Sequence, residues 1–121
     1  MPMIFICDDE AEIMRYLDKL LRRNGYGVET FARGSDLLMR LEEMVADSCD
    51  AILLDVRMPD MDGFKILKHL RKEYPNVPVI LMTGNGTIDD AVQAVELGAF
   101  DYLTKPFPRD KILNVIGRAV T

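Results

Sequence analysis

The stretch Ala51-Ile52-Leu53-Leu54-Asp55-Val56-Arg57-Met58-Pro59-Asp60-Met61-Asp62-Gly63 carries the reading of the fold. Four apolar residues run unbroken and stop at an acid, and a loop rich in Pro, Asp and Gly follows. So short an apolar run, bounded by turn residues, fits a strand buried on both faces, as in a parallel sheet. Helical periodicity then resumes from about Phe64 to Tyr74, with Pro75 and Pro78 bracketing the exit.

The same unit recurs on either side. Met3 to Cys7 is a second apolar run, followed by a helix from about Glu10 to Asn24. There Ile13, Leu17, Leu20 and Leu21 line one face, and Asn24-Gly25 signals the end. Gly27 to Phe31 reads as a strand. Ser35 is expected to cap a helix running through Leu37, Leu38, Leu41 and Val45. Val79 to Met82, ending in Thr83, is another apolar strand. Thr87 is placed to cap a helix through Ala91, Val92 and Val95, stopped by Gly98. A last short strand, Asp101 to Thr104, precedes Lys105-Pro106 and a final helix with Ile112, Leu113, Val115 and Ile116. Five βα units imply an α/β fold, a doubly wound parallel sheet of five strands with helices on both faces. Right-handed crossovers leave the flavodoxin-like order 2-1-3-4-5 as the favoured layout.

Composition excludes several classes. The 121 residues make one domain. Twenty acidic against fifteen basic residues leave a net charge of −5, which argues against nucleic-acid binding by this domain. The first residues are apolar but lack a basic leader, so neither a signal peptide nor a membrane span is expected, and the location expected is cytoplasmic. Cys7 and Cys49 make no disulfide framework and read as buried thiols.

Polar residues gather where such sheets bind ligands. Asp8 and Asp9 follow strand 1, Asp55 ends strand 3, Thr83 ends strand 4, and Lys105 follows strand 5. In the 2-1-3-4-5 order the three acids converge at the switch point beyond the strand ends. Three carboxylates in one crevice repel, so either some hold protons or a cation sits among them. Oxygen donors at a partly open site suit Mg2+. Lys105 adds a point charge for a phosphoryl oxygen and Thr83 a hydroxyl. The set fits phosphoryl transfer, with a carboxylate as covalent acceptor.

At these residues the chain resembles the receiver domains of bacterial two-component response regulators. The matching segments are Cys7-Asp8-Asp9-Glu10, Leu54 to Pro59 with Asp62-Gly63, Met82-Thr83-Gly84, and Gly98 to Phe107. The wording from Met82 to Phe107 is most similar to receivers of NtrC-type, sigma-54-dependent transcriptional activators. The resemblance implies that Asp55 is the phosphoacceptor. It implies that Asp9, Asp55 and the backbone carbonyl of Arg57 ligate Mg2+ (or Mn2+ in its place), with Asp8 acting largely through water. Lys105 would pair with the phosphoryl group and Thr83 would hydrogen-bond it, while Tyr102 would be the coupled aromatic, moving between exposed and buried rotamers. Lys105-Pro106 would be cis. Arg57 and Asn85 hold positions that tune phosphoryl lifetime among receivers.

The implied role is two-component signal transduction and transcription regulation. A sensor histidine kinase donates the phosphoryl group, and the face of helix 4, strand 5 and helix 5 switches an output domain or effector. The same face could join two copies as a homodimer. Such a domain catalyses only its own phosphorylation and dephosphorylation. The single receiver is expected to span 1–121 without an output module, either standing alone, by protein–protein interaction or phosphorelay, or as a piece of a longer regulator. Rival readings fit worse. A haloacid-dehalogenase-type phosphatase wants an acid two residues after the nucleophile, where Arg57 stands. A flavodoxin wants a phosphate loop where Asp8-Asp9-Glu10 stand. A degenerate receiver would lack functional residues that are all present here. The one histidine, His69, lies on helix 3 among basic residues and reads as a solvated surface group.

Overall fold

Each apolar run forms a strand, and the strands pair in the order β2-β1-β3-β4-β5, all parallel. They are β1 (Met3–Cys7), β2 (Gly27–Phe31), β3 (Ala51–Asp55), β4 (Val79–Thr83) and β5 (Asp101–Thr104). The helices are α1 (Ala11–Arg23), α2 (Gly34–Glu43), α3 (Gly63–Glu73), α4 (Ile88–Glu96) and α5 (Arg109–Ala119). This computed structural model describes residues 1–44, 48–84 and 86–121. Val45, expected on the second helix, and Asn85 lie outside the described residues.

The strands separate two cores by simple alternation. Phe5, Cys7, Ile52, Leu54, Val79 and Leu81 pack on the side covered by α2, α3 and α4. Ile4, Ile6, Ala51, Leu53, Ile80 and Met82 pack on the other, against Leu17 and Leu21 of α1 and Ile112, Val115 and Ile116 of α5. Because successive side chains point to opposite faces, a strand covered on both faces must be apolar throughout. That is why β1, β3 and β4 read as unbroken apolar runs. Each fully buried large aliphatic chain contributes about 1.5–3 kcal/mol, and the central strands and the helices that cover them supply these chains in similar measure.

Most helix ends follow local signals. Gly25 and Gly98, both at φ +89°, lie just beyond α1 and α4. Thr87 caps α4 by accepting from the Asp90 N–H at 3.0 Å. Asp62 caps α3 by accepting from the Phe64 N–H at 2.9 Å. The expected cap of α2 is corrected. Ser35 lies inside the first turn, and the residue before the helix, Arg33, makes no side-chain cap. Instead Asp60, on the loop after β3, accepts from the Gly34 and Ser35 N–H groups at 3.2 and 3.3 Å and from Ser35 Oγ at 3.3 Å. A carboxylate suits the positive end of a helix. This arrangement ties the β3–α3 loop to α2.

The same loop folds back on its own strand. The Gly63 N–H donates to the Val56 carbonyl at 2.7 Å, and Arg57 and Asp62 form an isolated antiparallel bridge. A Cβ on residue 63 would stand 2.5 Å from the Asp55 carbonyl oxygen and 2.6 Å from Val56 Cα. Both are backbone atoms of the strand end that carries Asp55, so they cannot move aside cheaply. Gly63→Ala is therefore expected to lower stability by about 2 kcal/mol or more in urea unfolding at neutral pH. A loss below about 0.5 kcal/mol, within the range of an ordinary surface change, would contradict the close approach.

Candidate functional site

The parallel strands all end at one edge, and the polar residues singled out from the sequence gather there. β1 delivers Asp8 and Asp9, β3 Asp55, β4 Thr83 and β5 Lys105. Carboxylate oxygens of Asp8, Asp9 and Asp55 lie within 4.8 Å of one another. Asp8 is fully buried, Asp55 is buried at 4% exposure, and Asp9 faces solvent.

Asp8 is fixed by its own turn. Its backbone N–H extends the sheet by donating to the Phe31 carbonyl at 3.0 Å. Its Oδ1 accepts from the Glu10 N–H at 2.9 Å, which shapes the approach to α1. Its Oδ2 is buried and, among the described residues, has no hydrogen-bond donor aligned on it. The charge that faces it is Lys105, whose Nζ stands 2.7 Å away. The same ammonium lies 2.9 Å from Glu10 Oε1 and 3.7 Å from Asp55 Oδ2. Burial opposes the Lys105 charge, yet contacts with Asp8 and Glu10, and the charge of Asp55 beyond them, outweigh it and hold the ammonium above its ordinary pKa. Glu10 is a residue whose site role the sequence reading missed. Its position at the start of α1 reads locally as a helix-end acid, and only the approach of β5 brings Lys105 to it.

One lysine does not balance three acids and Glu10. Burial first, and then the charge of Asp8, push the Asp55 carboxyl up to about 7, while Lys105 and the Arg57 N–H act the other way. Asp55 Oδ1 accepts from that N–H at 3.4 Å, a long bond. A cluster of this kind, in which one ammonium faces three carboxylates and Glu10, suits a hard divalent cation with oxygen ligands. Asp8, Asp9 and Asp55 therefore fit Mg2+.

Thr83 is buried at the end of β4, and its carbonyl accepts from the Lys105 N–H at 2.6 Å. Lys105-Pro106 is cis, as expected. The Tyr102 hydroxyl is buried. Burial, and next the charge of Asp90, hold its phenol above the ordinary pKa, and the hydroxyl interacts with Thr83. Arg57 is exposed and its guanidinium pairs with Asp90 of α4 at 3.1 Å, a contact the sequence reading did not foresee. His69 is exposed, as expected. Cys7 and Cys49 are free and buried. Burial pushes both thiols up to about 12, so neither is a nucleophile at neutral pH.

Comparison with known proteins agrees with this fold. The response regulator receiver domain family matches residues 4–117. The DNA-binding transcriptional regulator NtrC of Proteus hauseri is 41% identical over 118 residues, covering 98% of this chain and 24% of that protein. The chain thus spans about a quarter of the length of that relative. A receiver domain from Clostridium thermocellum superposes with a TM-score of 0.90 at 32% identity, over 99% of this chain and 94% of the other. A beryllofluoride-activated NtrC4 receiver domain dimer, solved in solution, gives 0.92 at 32% identity, over 99% and 97%.

The raised Asp55 pKa has a definite sign for stability. Between about pH 4 and pH 7 the folded chain keeps a proton that the unfolded chain gives up, so stability falls as pH rises through that window. Asp55→Asn is expected to raise stability at pH 8 without divalent cations by about 1–3 kcal/mol, and to change little at pH 4. Urea unfolding at the two pH values checks it. A variant no more stable than wild type at pH 8 would mean that neither burial nor the charge of Asp8 penalises the ionised Asp55.

Proposed function

The chain belongs to the response regulator receiver domain family, and from that membership we propose that Asp55 accepts a phosphoryl group from a phosphohistidine of a sensor kinase. The observation that carries this reading is Asp55 itself. It is a buried carboxylate at a strand end, with Asp8 and Asp9 on one side and the Lys105 ammonium 3.7 Å away. The family is that of two-component signalling.

Mg2+ would be held by Asp9, Asp55 and the Arg57 carbonyl, with Asp8 reached through water. Bound there, the ion supplies positive charge for the oxygens of the transferring group. The chain's own residues do the rest. Asp55 in its ionised form attacks phosphorus through one carboxylate oxygen. The bond from phosphorus to the donor imidazole nitrogen breaks, and that nitrogen keeps the electron pair and takes a proton. Lys105 lies close enough to follow the new charge, moving from Asp8 and Glu10 toward a phosphoryl oxygen. Thr83 offers its hydroxyl to another oxygen. Positioning and charge supply most of the rate, as in other phosphoryl transfers. Attack by water on the acyl phosphate returns Asp55 and inorganic phosphate, so the domain turns over only its own modification.

The signal would leave through α4, β5 and α5. Ile88, Val92 and Val95 recur at helical spacing on α4 and are exposed by 83%, 49% and 76%. With Tyr102 packed beside α4, this face suits an output domain, an effector or a second copy of the receiver. The NtrC-type relatives support transcription regulation as the setting, with this domain as the receiver unit over 1–121 and a cytoplasmic location as part of the proposal. Among the described residues, no helix is long and apolar enough to cross a membrane.

Incubation with acetyl phosphate and Mg2+ tests the assignment by mass spectrometry. The wild type should gain one phosphoryl group, Asp55→Asn none, and Lys105→Ala should be modified about 10²-fold more slowly. Equal modification of wild type and Asp55→Asn would refute the acceptor.

A further inference from the structure

Arg57 is held at both ends. Its backbone N–H donates to Asp55 Oδ1 at 3.4 Å, and its backbone pairs with Asp62 across the loop. Its guanidinium reaches Asp90 Oδ2 at 3.1 Å, 33 residues along the chain. The Asp90 side chain is only 16% exposed, so it is a held acid rather than a freely solvated one. Its own N–H is fixed by the Thr87 hydroxyl in the first turn of α4. Asp90 and Gln93 form the α4 wall of a cleft of about 540 Å³. The loop from Val56 to Asp62, with Phe64, forms the opposite wall, and the Arg57–Asp90 pair spans the space between them.

We propose that Asp90 is a positioning residue for the acceptor site, acting through Arg57 to couple the geometry around Asp55 to the placement of α4. The inference rests on reading Asp55 as the phosphoryl acceptor. A new group on Asp55, or a cation beside it, changes what Oδ1 offers the Arg57 N–H. The loop then shifts, and the guanidinium carries the shift to Asp90. This route leaves the site on the side of β3, whereas Thr83 and Tyr102 leave it from β4 and β5. The charge of Asp90 also falls on the half-buried Tyr102, whose hydroxyl is buried. Coupling of this kind is reciprocal, so whatever holds α4 in place alters binding at Asp55 by the same factor. The Arg57 side chain is 64% exposed, so the pair acts as a bias of a few fold and not as a lock.

The test is a beryllofluoride titration in the presence of Mg2+, read by amide resonances of the 121-residue chain. Wild type is compared with Arg57→Gln, Asp90→Asn and the double variant. Each single change should weaken adduct formation about two- to fivefold, and the double variant should be no weaker than the weaker single. The shifts of α4 amides on adduct formation should shrink in all three variants, while those at Asp8 and Asp9 persist. Asp90→Glu, which keeps the charge, should recover most of the wild-type affinity. Single-variant factors that multiply in the double variant, or full α4 shifts in Asp90→Asn, would overturn the coupling. A wild-type chain that forms no adduct would instead overturn the acceptor reading.

Discussion

The repulsion among Asp8, Asp9 and Asp55, offset in part by Lys105, is the constraint on which the rest of the molecule depends. Two of these acids are buried. Burying a carboxylate is costly unless it is paired, protonated or joined to a cation. Lys105 stands closer to Asp8 than to Asp55, at 2.7 against 3.7 Å, so Asp55 is the acid left short of a counter-charge. That imbalance is what a receiver needs. The sheet holds Asp55 in an unfavourable place, and under the proposed function a cation would relieve that charge and a phosphoryl group would redistribute it. Stability given up at the strand ends is thereby available to drive a change elsewhere.

The sheet makes such frustration tolerable. β1 and β3 are hydrogen-bonded neighbours, apolar and covered on both faces, so their last residues cannot spread apart. The β3–α3 loop is held on both sides, by Asp60 to α2 and by Arg57 to α4. By contrast, α4 buries only Ala94 fully and presents Ile88, Val92 and Val95 to solvent. A rigid centre joined to a lightly anchored helix is the arrangement expected where a local charge event must become a surface event.

Much of this was legible in the sequence. The strands announced themselves because a doubly covered strand leaves no polar positions, and Ala51 to Leu54 shows that most plainly. Asp8, Asp9, Asp55, Thr83 and Lys105 were legible as a group because parallel strands end at one edge, so strand-end residues become neighbours whatever their separation in sequence. What stayed hidden were contacts made by loops and helices across that edge. Ser35 looked like a helix cap because it satisfies the local rule, while the true acceptor, Asp60, comes from a loop 25 residues away. The Glu10–Lys105 and Arg57–Asp90 pairs likewise join separate elements and leave no periodic or local trace. The cis bond before Pro106 was implied by resemblance to receivers rather than by any physical signal in the chain.

If charge frustration at Asp55 is the centre of the design, cation binding must displace a proton. Calorimetric titration of Mg2+ at pH 6.5, in two buffers of different ionisation heat, counts protons directly. With the Asp55 carboxyl held at about 7, roughly half to three-quarters of a proton should leave per ion bound in wild type, and none in Asp55→Asn. Binding without proton release, or equal release from Asp55→Asn, would contradict it.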